Sequence, residues 1–401
     1  MISKYINIWW DQPKNFDDRK YERKISWLEL FYDLVYVAAI SQLTLQLSIH
    51  TTWQQAAYYF LLFCLIFWSW VNGSQYYDLH GNEGIRTRLF TFAQMLAVAA
   101  IAITIGDAFE ERHHGFAIAF AVIQILITYL WWSVGFYDPS HRVFNKFYTF
   151  NYLIALGLII ASVFTNYHTA TILWMIVLAL NLTPPLIGAG TIVRVLKQRG
   201  QIFTASATII ERLGLFTIIV LAESILGTVN GIAEVKDKHP TAWIAFILGI
   251  LIAFLLWSLY FDMTSEREAK TGYSYMQWLI FLHFPLLASL GVVGTSIKLI
   301  LANISAAPDT MVQYLFCIAI VTILLTIIGL TLIMKEEEED RSYIRPMSRW
   351  LIVISVIILL LPLFSLHTLL FLSIIAVVLF IPVWIGTRSW VRYQFLNRTQ
   401  P

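Results

Sequence analysis

Two acids in this sequence stand where apolar residues would be expected. Glu223 lies in the run TIIERLGLFTIIVLAESILGTVNG, eleven residues past Arg212. Eleven residues are three helical turns, so the two side chains share a face, with Thr208, Gly227 and Asn230 on the same stripe. At 1.5 Å per residue Glu223 falls about 17 Å along the helix, near the centre of a bilayer whose hydrocarbon is about 30 Å thick. A carboxylate there must be protonated, paired or facing water. That requirement suits a proton carrier. It also suits a protonated acid hydrogen-bonded to a neighbouring helix as packing glue.

Asp33 is the second. It belongs to SWLELFYDLVYVAAISQLTLQLSI, residues 26–49, with Glu29 four residues earlier on the same face and Tyr36 and Thr44 further along it. Ser26-x-x-Glu29 has capping-box spacing, which gives Glu29 a role at the helix start. Asp33, one turn deeper, needs a charge partner or a function. Arg212, with Glu211 beside it at the start of the Glu223 helix, is the expected partner, with Glu29 contributing.

Other polar residues carry weaker expectations. His283, ahead of Pro285 in an apolar run, fits a titrating group or a packed histidine equally. Gln94 occupies a corresponding place in an earlier run. Asp78, Glu83, Arg86, Arg88 and Asp262 read as solvated helix ends. Asp107, Glu110, Glu111, His113 and His114 cluster without ordered ligand spacing, so no metal is expected. Glu336–Asp340 reads as a solvated extension. No nucleotide loop, zinc-helix motif or nucleophile elbow is present, and no cofactor is expected.

These residues must be held by membrane helices. The 401-residue chain is 58% hydrophobic and 13% charged, beyond what a soluble globular protein uses. The expected fold is an all-α polytopic membrane protein with twelve spans, near 27–49, 53–77, 86–106, 115–137, 146–165, 168–193, 209–230, 241–262, 275–302, 310–334, 348–365 and 367–388. Pro184-Pro185, with Gly188 and Gly190, predicts a kink or break in the sixth span. The last two spans are close enough to form a hairpin or a re-entrant pair. Met1–Trp10 suits the membrane surface and Asp11–Lys24 a soluble lead-in, with no cleavable signal pattern. Cys64 and Cys317 fall within spans and read as packing residues.

With a cytoplasmic N-terminus, this layout puts 22 Lys and Arg inside and 4 outside, so both termini are expected in the cytoplasm. The net charge of +2 says nothing about partners by itself, and with no basic tract interleaved with aromatics no nucleic-acid partner is expected. A faint internal repeat matches Ser26-x-x-Glu29 with Thr208-x-x-Glu211, Ala39-x-Ser41-x-Leu43 with Ala222-x-Ser224-x-Leu226, Trp68-Ser69 with Trp257-Ser258, and Gln94 with His283. It predicts two parallel six-helix halves, 27–193 and 209–388, joined by a linker at 194–208 and flanked by tails at 1–26 and 389–401.

The chain resembles the low temperature requirement protein A (LtrA) family of bacterial multi-pass membrane proteins. The resemblance rests on ELFYDLVYVAAISQL at 29–43 and ERLGLFTIIVLAESIL at 211–226. WSWV at 68–71, Asp78 to Arg88, LWSLYFD at 256–262 and HFPLL at 283–287 support it. Where the family usually has His before the Glu-Arg pair and Gly before the deep Glu, this chain has Thr208 and Ala222, so a proton role for that histidine is absent. The family implies an inner-membrane protein tied by name to cold growth.

The functional expectation is a transporter or permease for a small solute or ion, proton-coupled if Glu223 titrates, with a polar path between spans one and seven. Its residues would be Glu223, Asp33, Glu29, Arg212, Glu211, His283 and Asn230, with Asp78, Arg88, Asp262, Gln94 and Tyr36 secondary. The bilayer is the expected partner. An ion channel, a membrane enzyme acting on lipid or lipid-linked groups, and a structural or sensory protein are the competing classes.

Overall fold

Long apolar runs in hydrocarbon must satisfy their backbone groups internally, and a helix is the way a single segment does so. The computed structural model describes residues 12–14, 24–82, 84–137, 142–187, 190, 193–194, 197, 204–264, 267–304, 307–336 and 338–398. Among these it forms α1 (Trp27–Ile49), α2 (Trp53–His80), α3 (Ile85–Phe109), α4 (His114–Tyr137), α5 (Arg142–Ser162) and α6 (Tyr167–Ile187). There follow α7 (Ala207–Glu234), α8 (Pro240–Thr264), α9 (Tyr273–Ala302), α10 (Thr310–Ile333), α11 (Glu338–Leu360) and α12 (Thr368–Arg398). Ten of the described helical segments are long and apolar enough to cross a membrane. Outside those ten are α5, which opens on Arg142, Asn145 and Lys146, and α7, which carries Glu211, Arg212 and Glu223. Large apolar side chains such as Ile103, Phe164 and Leu332 are exposed, as in a protein apolar on its outside as well as within. This is a polytopic α-helical membrane protein.

Two compact units result. The first gathers the described residues of Met1–Gln46, Ala57–Arg212 and Thr271–Gln277. In it α3 packs on α4, α4 on α5 and α5 on α6. The second gathers Leu47–Ala56, Leu213–Lys270 and the described residues of Trp278–Pro401. There α8 packs on α10 and α12, and α11 on α10 and α12. The start of α7 through Arg212 counts with the first unit.

Several element boundaries depart from the sequence expectation. α6 carries Pro184 and Pro185 inside its last turn and is described to Ile187; Gly188 lies outside the described residues. α11 and α12 are each long enough to cross alone, joined through a 3-10 turn at Leu361–Leu363, so neither need be re-entrant. α12 runs to Arg398 and takes in most of the stretch expected as a tail. α11 starts inside the Glu336–Asp340 run. Asp340 pairs with Arg267 at 3.2 Å with both side chains largely covered, and Glu336 takes Arg341 and Arg345, so the run is not merely solvated. Gln12–Lys14 is not a free lead-in either: Asn82 donates to the Gln12 carbonyl, and Lys14 bonds through its N–H and carbonyl to His80. Met1–Trp10 lies outside the described residues.

In the second unit, α7 and α9 approach to backbone contact. A Cβ at Gly227 would lie 2.1 Å from the Gly294 carbonyl oxygen, and one at Gly231 2.7 Å from that of Lys298. Gly227-x-x-x-Gly231 is the small-residue spacing that lets membrane helices close on one another. The room beside Gly227 is taken by a helix.

Candidate functional site

α1 begins with a reciprocal cap. The Ser26 N–H and hydroxyl each donate to Glu29 Oε2 at 3.0 Å, and the Ser26 hydroxyl oxygen accepts the Glu29 N–H at 3.3 Å. This leaves Glu29 Oε1 for another partner, which is Arg212: its Nη1 donates to that oxygen at 3.2 Å. One carboxylate therefore serves both as cap and as ion-pair member.

One turn on, Asp33 receives the rest of the guanidinium. Arg212 Nη2 donates to Oδ1 at 2.5 Å and Nε to Oδ2 at 3.3 Å, a two-pronged fork. Trp70 of α2 adds its indole N–H to Oδ1 at 2.7 Å. The Arg212 carbon Cζ lies 5.4 Å from the Trp70 ring centre and 5.9 Å from that of Tyr32, so aromatic faces enclose the cation. Glu29, Asp33 and Arg212 are at most 1% exposed. With every charged group bonded, the cluster meets the condition under which buried charge is tolerated.

Next to it is a chain of hydroxyls. Tyr32 donates to Gln94 Oε1 of α3 at 3.1 Å and lies 3.1 Å from the Tyr36 hydroxyl, which lies 3.1 Å from that of Ser69. Gly73 on α2 makes this possible, since a Cβ there would strike the Tyr32 hydroxyl. Tyr36 and Gln94 thus belong to the cluster's surroundings. Thr44 spends its hydroxyl on the carbonyl of Ser41, one turn back.

A second buried cation faces the same place. Arg86, in the first turn of α3, is 2% exposed. Its Nη1 donates to Tyr76 at 3.1 Å and Nη2 to Ser133 at 2.8 Å, and Phe90 lies under its Cζ at 5.5 Å. Glu29, Tyr32, Gly73, Tyr76, Arg86 and Arg212 line a cavity with about 10 Å³ open to the centre of a water molecule. Thr87, Phe90, Thr91 and Gln94 complete the α3 side of that cavity. Sequence reasoning placed Arg86 among solvated ends. The missed signal is the spacing Arg86, Phe90, Gln94 with Thr87 and Thr91, one polar face of an otherwise apolar helix.

The remaining expected residues are placed elsewhere. Arg88, two positions from Arg86 and so on the opposite face, is exposed, as are Glu211 and Asn230. Asp78 is half-buried and accepts from the Ser206 hydroxyl at 2.9 Å. That hydroxyl also accepts the Ile209 N–H at 3.1 Å, so α7 is capped by Ser206 and not by a Thr208–Glu211 box. Asp262 is exposed and accepts from Ser258 at 2.6 Å. His283 is buried in the second unit: Nδ1 donates to the Leu279 carbonyl at 2.6 Å, which leaves Nε2 to meet the Tyr260 hydroxyl at 2.9 Å. Glu223, also in the second unit, is half-buried. Glu83 lies outside the described residues. Around the C-terminal end of α3, Arg112 holds Asp107 and Glu110 at 2.9 and 2.5 Å, and among the described residues no His, Cys, Asp or Glu group is arranged to hold a metal.

A bundle of apolar helices enclosing a bonded ion cluster defines a multi-pass membrane protein with charge committed to its interior. The profile of the bacterial low temperature requirement A protein (LtrA) family matches residues 24–385, and the chain belongs to that family. It is 27% identical over 267 residues to an uncharacterized protein of Rhizobium meliloti (strain 1021), a match covering 65% of this chain and 63% of that relative. No solved structure matches.

Proposed function

We propose that the chain moves a small solute or ion across the cell membrane, as a transporter or permease, with both termini in the cytoplasm and Glu223 as the ionisable group of its path. The observation that carries this reading is the amount of charge kept inside: Glu29, Asp33, Arg86 and Arg212 are each at most 2% exposed. Scaffolding alone does not favour such a cluster, because well-packed apolar residues replace a buried ion pair at little or no loss. Ionisable side chains within membrane helices mark ion and solute routes by default. The exposed apolar side chains make lipid the surrounding partner.

One observation favours a second reading, an enzyme acting on lipid-linked groups. Glu29, Asp33, Arg86 and Arg212 all belong to the first two turns of their helices, the end nearer an interface. Purified protein in liposomes carrying an internal pH dye separates the two. Transport predicts protein-dependent movement of at least one ion or solute, with or without protons. Movement of none, alongside turnover of a lipid-linked substrate detected by mass spectrometry, would move the assignment to the enzyme.

A further inference from the structure

Arg86 is unlike Arg212. Arg212 has two carboxylates around it, whereas among the described residues no carboxylate lies within ion-pair distance of Arg86. Its two hydrogen-bond partners, Tyr76 and Ser133, are neutral hydroxyls. Its Nε–H has no partner among the described residues, although the side chain is 2% exposed and lines the cavity. A guanidinium has five N–H donors and no acceptor. Tyr76 accepts one of them, and its hydroxyl, which also meets Ser133, lines the same cavity.

Among the described residues the nearby acids do not answer this demand. Glu29 commits Oε2 to the α1 cap and Oε1 to Arg212, while both oxygens of Asp33 are taken by Arg212 and Trp70. Among the described residues the cavity therefore presents a spare N–H donor and a cation with no carboxylate partner. Leaving a buried charge or N–H without a partner is costly, so the complement is a species that is negative and accepts hydrogen bonds. Size narrows it further. About 10 Å³ open to a water centre limits the occupant to a few heavy atoms at most. Arg86 also lies in the first turn of α3, the helix end whose free N–H groups favour negative charge.

We propose that this cavity is a binding site for a small monovalent anion of the chloride, nitrate or formate class, held by Arg86 with the Tyr76 hydroxyl. The site is a property of the first unit and does not depend on the transport reading.

The test is thermal unfolding of the purified, delipidated full-length protein while chloride, nitrate or formate replaces gluconate at constant ionic strength. A bound anion stabilises the folded state by mass action, so the midpoint should rise saturably with anion concentration. Arg86→Gln should abolish that dependence. Tyr76→Phe, which removes only a hydroxyl, should retain it with affinity weakened several-fold, and it keeps the test decisive should Arg86→Gln fail to fold. Three results would overturn the proposal: no saturable response of the wild type to any of the three anions, a response to phosphate-headgroup lipid in their place, or an unchanged response in Tyr76→Phe together with an unfolded or equally responsive Arg86→Gln.

Discussion

Asp33 and Arg212 depend on each other more than either contributes alone. Removing one leaves the other charged and buried, which costs about 3–5 kcal/mol for a dry pair. Asp33→Asn and Arg212→Gln should each lower the thermal midpoint or yield sharply. The double variant should lose less than the sum of the two, because neither survivor is then stranded. Additive losses would contradict a direct pair. The partnership was legible from spacing: two acids one turn apart, and a lone arginine at the start of another span. The partners beyond the acids and the arginine were not. Trp70 meets Asp33 from a third helix, and nothing in WSWV distinguishes a hydrogen-bonding indole from a packing one. Arg86 escapes the sequence for a similar reason: a single residue separates it from exposed Arg88, and only the turn of the helix decides which one faces inward.

At the scale of elements, hydropathy found the helices and left their ends open. α7 starts at Ala207 because Ser206 supplies the cap, a choice between hydroxyls two positions apart that spacing alone does not make. Gly227 shows the same ambiguity, since a glycine inside a span suits a solute or a close helix equally. The structure assigns a helix, and the assignment is testable. Gly227→Ala puts a methyl group 2.1 Å from a backbone oxygen that has no flexible end to move aside. It should destabilise by about 1–3 kcal/mol, the usual range for overpacking. Gly157→Ala in α5 meets nothing within 4 Å. It should be neutral or gain up to about 1 kcal/mol from helix propensity. Equal effects on the unfolding midpoint would contradict the close approach of α7 and α9.

For the whole molecule, the expected orientation rests on charge, which the sequence states directly, whereas the proposed activity rests on what reaches Glu223, which it does not. The excess of Lys and Arg in alternate loops predicts that cysteines placed at Glu110 and Lys236 react with an impermeant reagent from outside. Those at Arg142 and Asp340 should react only from inside. Reversed labelling at any of the four would overturn the twelve-span layout. The proposed path makes its most specific claim at Glu223. Glutamine keeps the shape and a donor of a protonated glutamate and loses only its titration. In the liposome assay, Glu223→Gln should fold and insert as the wild type does while the flux is abolished. A Glu223→Gln protein that moves the same solute or ion at the wild-type rate would contradict the role given to Glu223, though not transport itself.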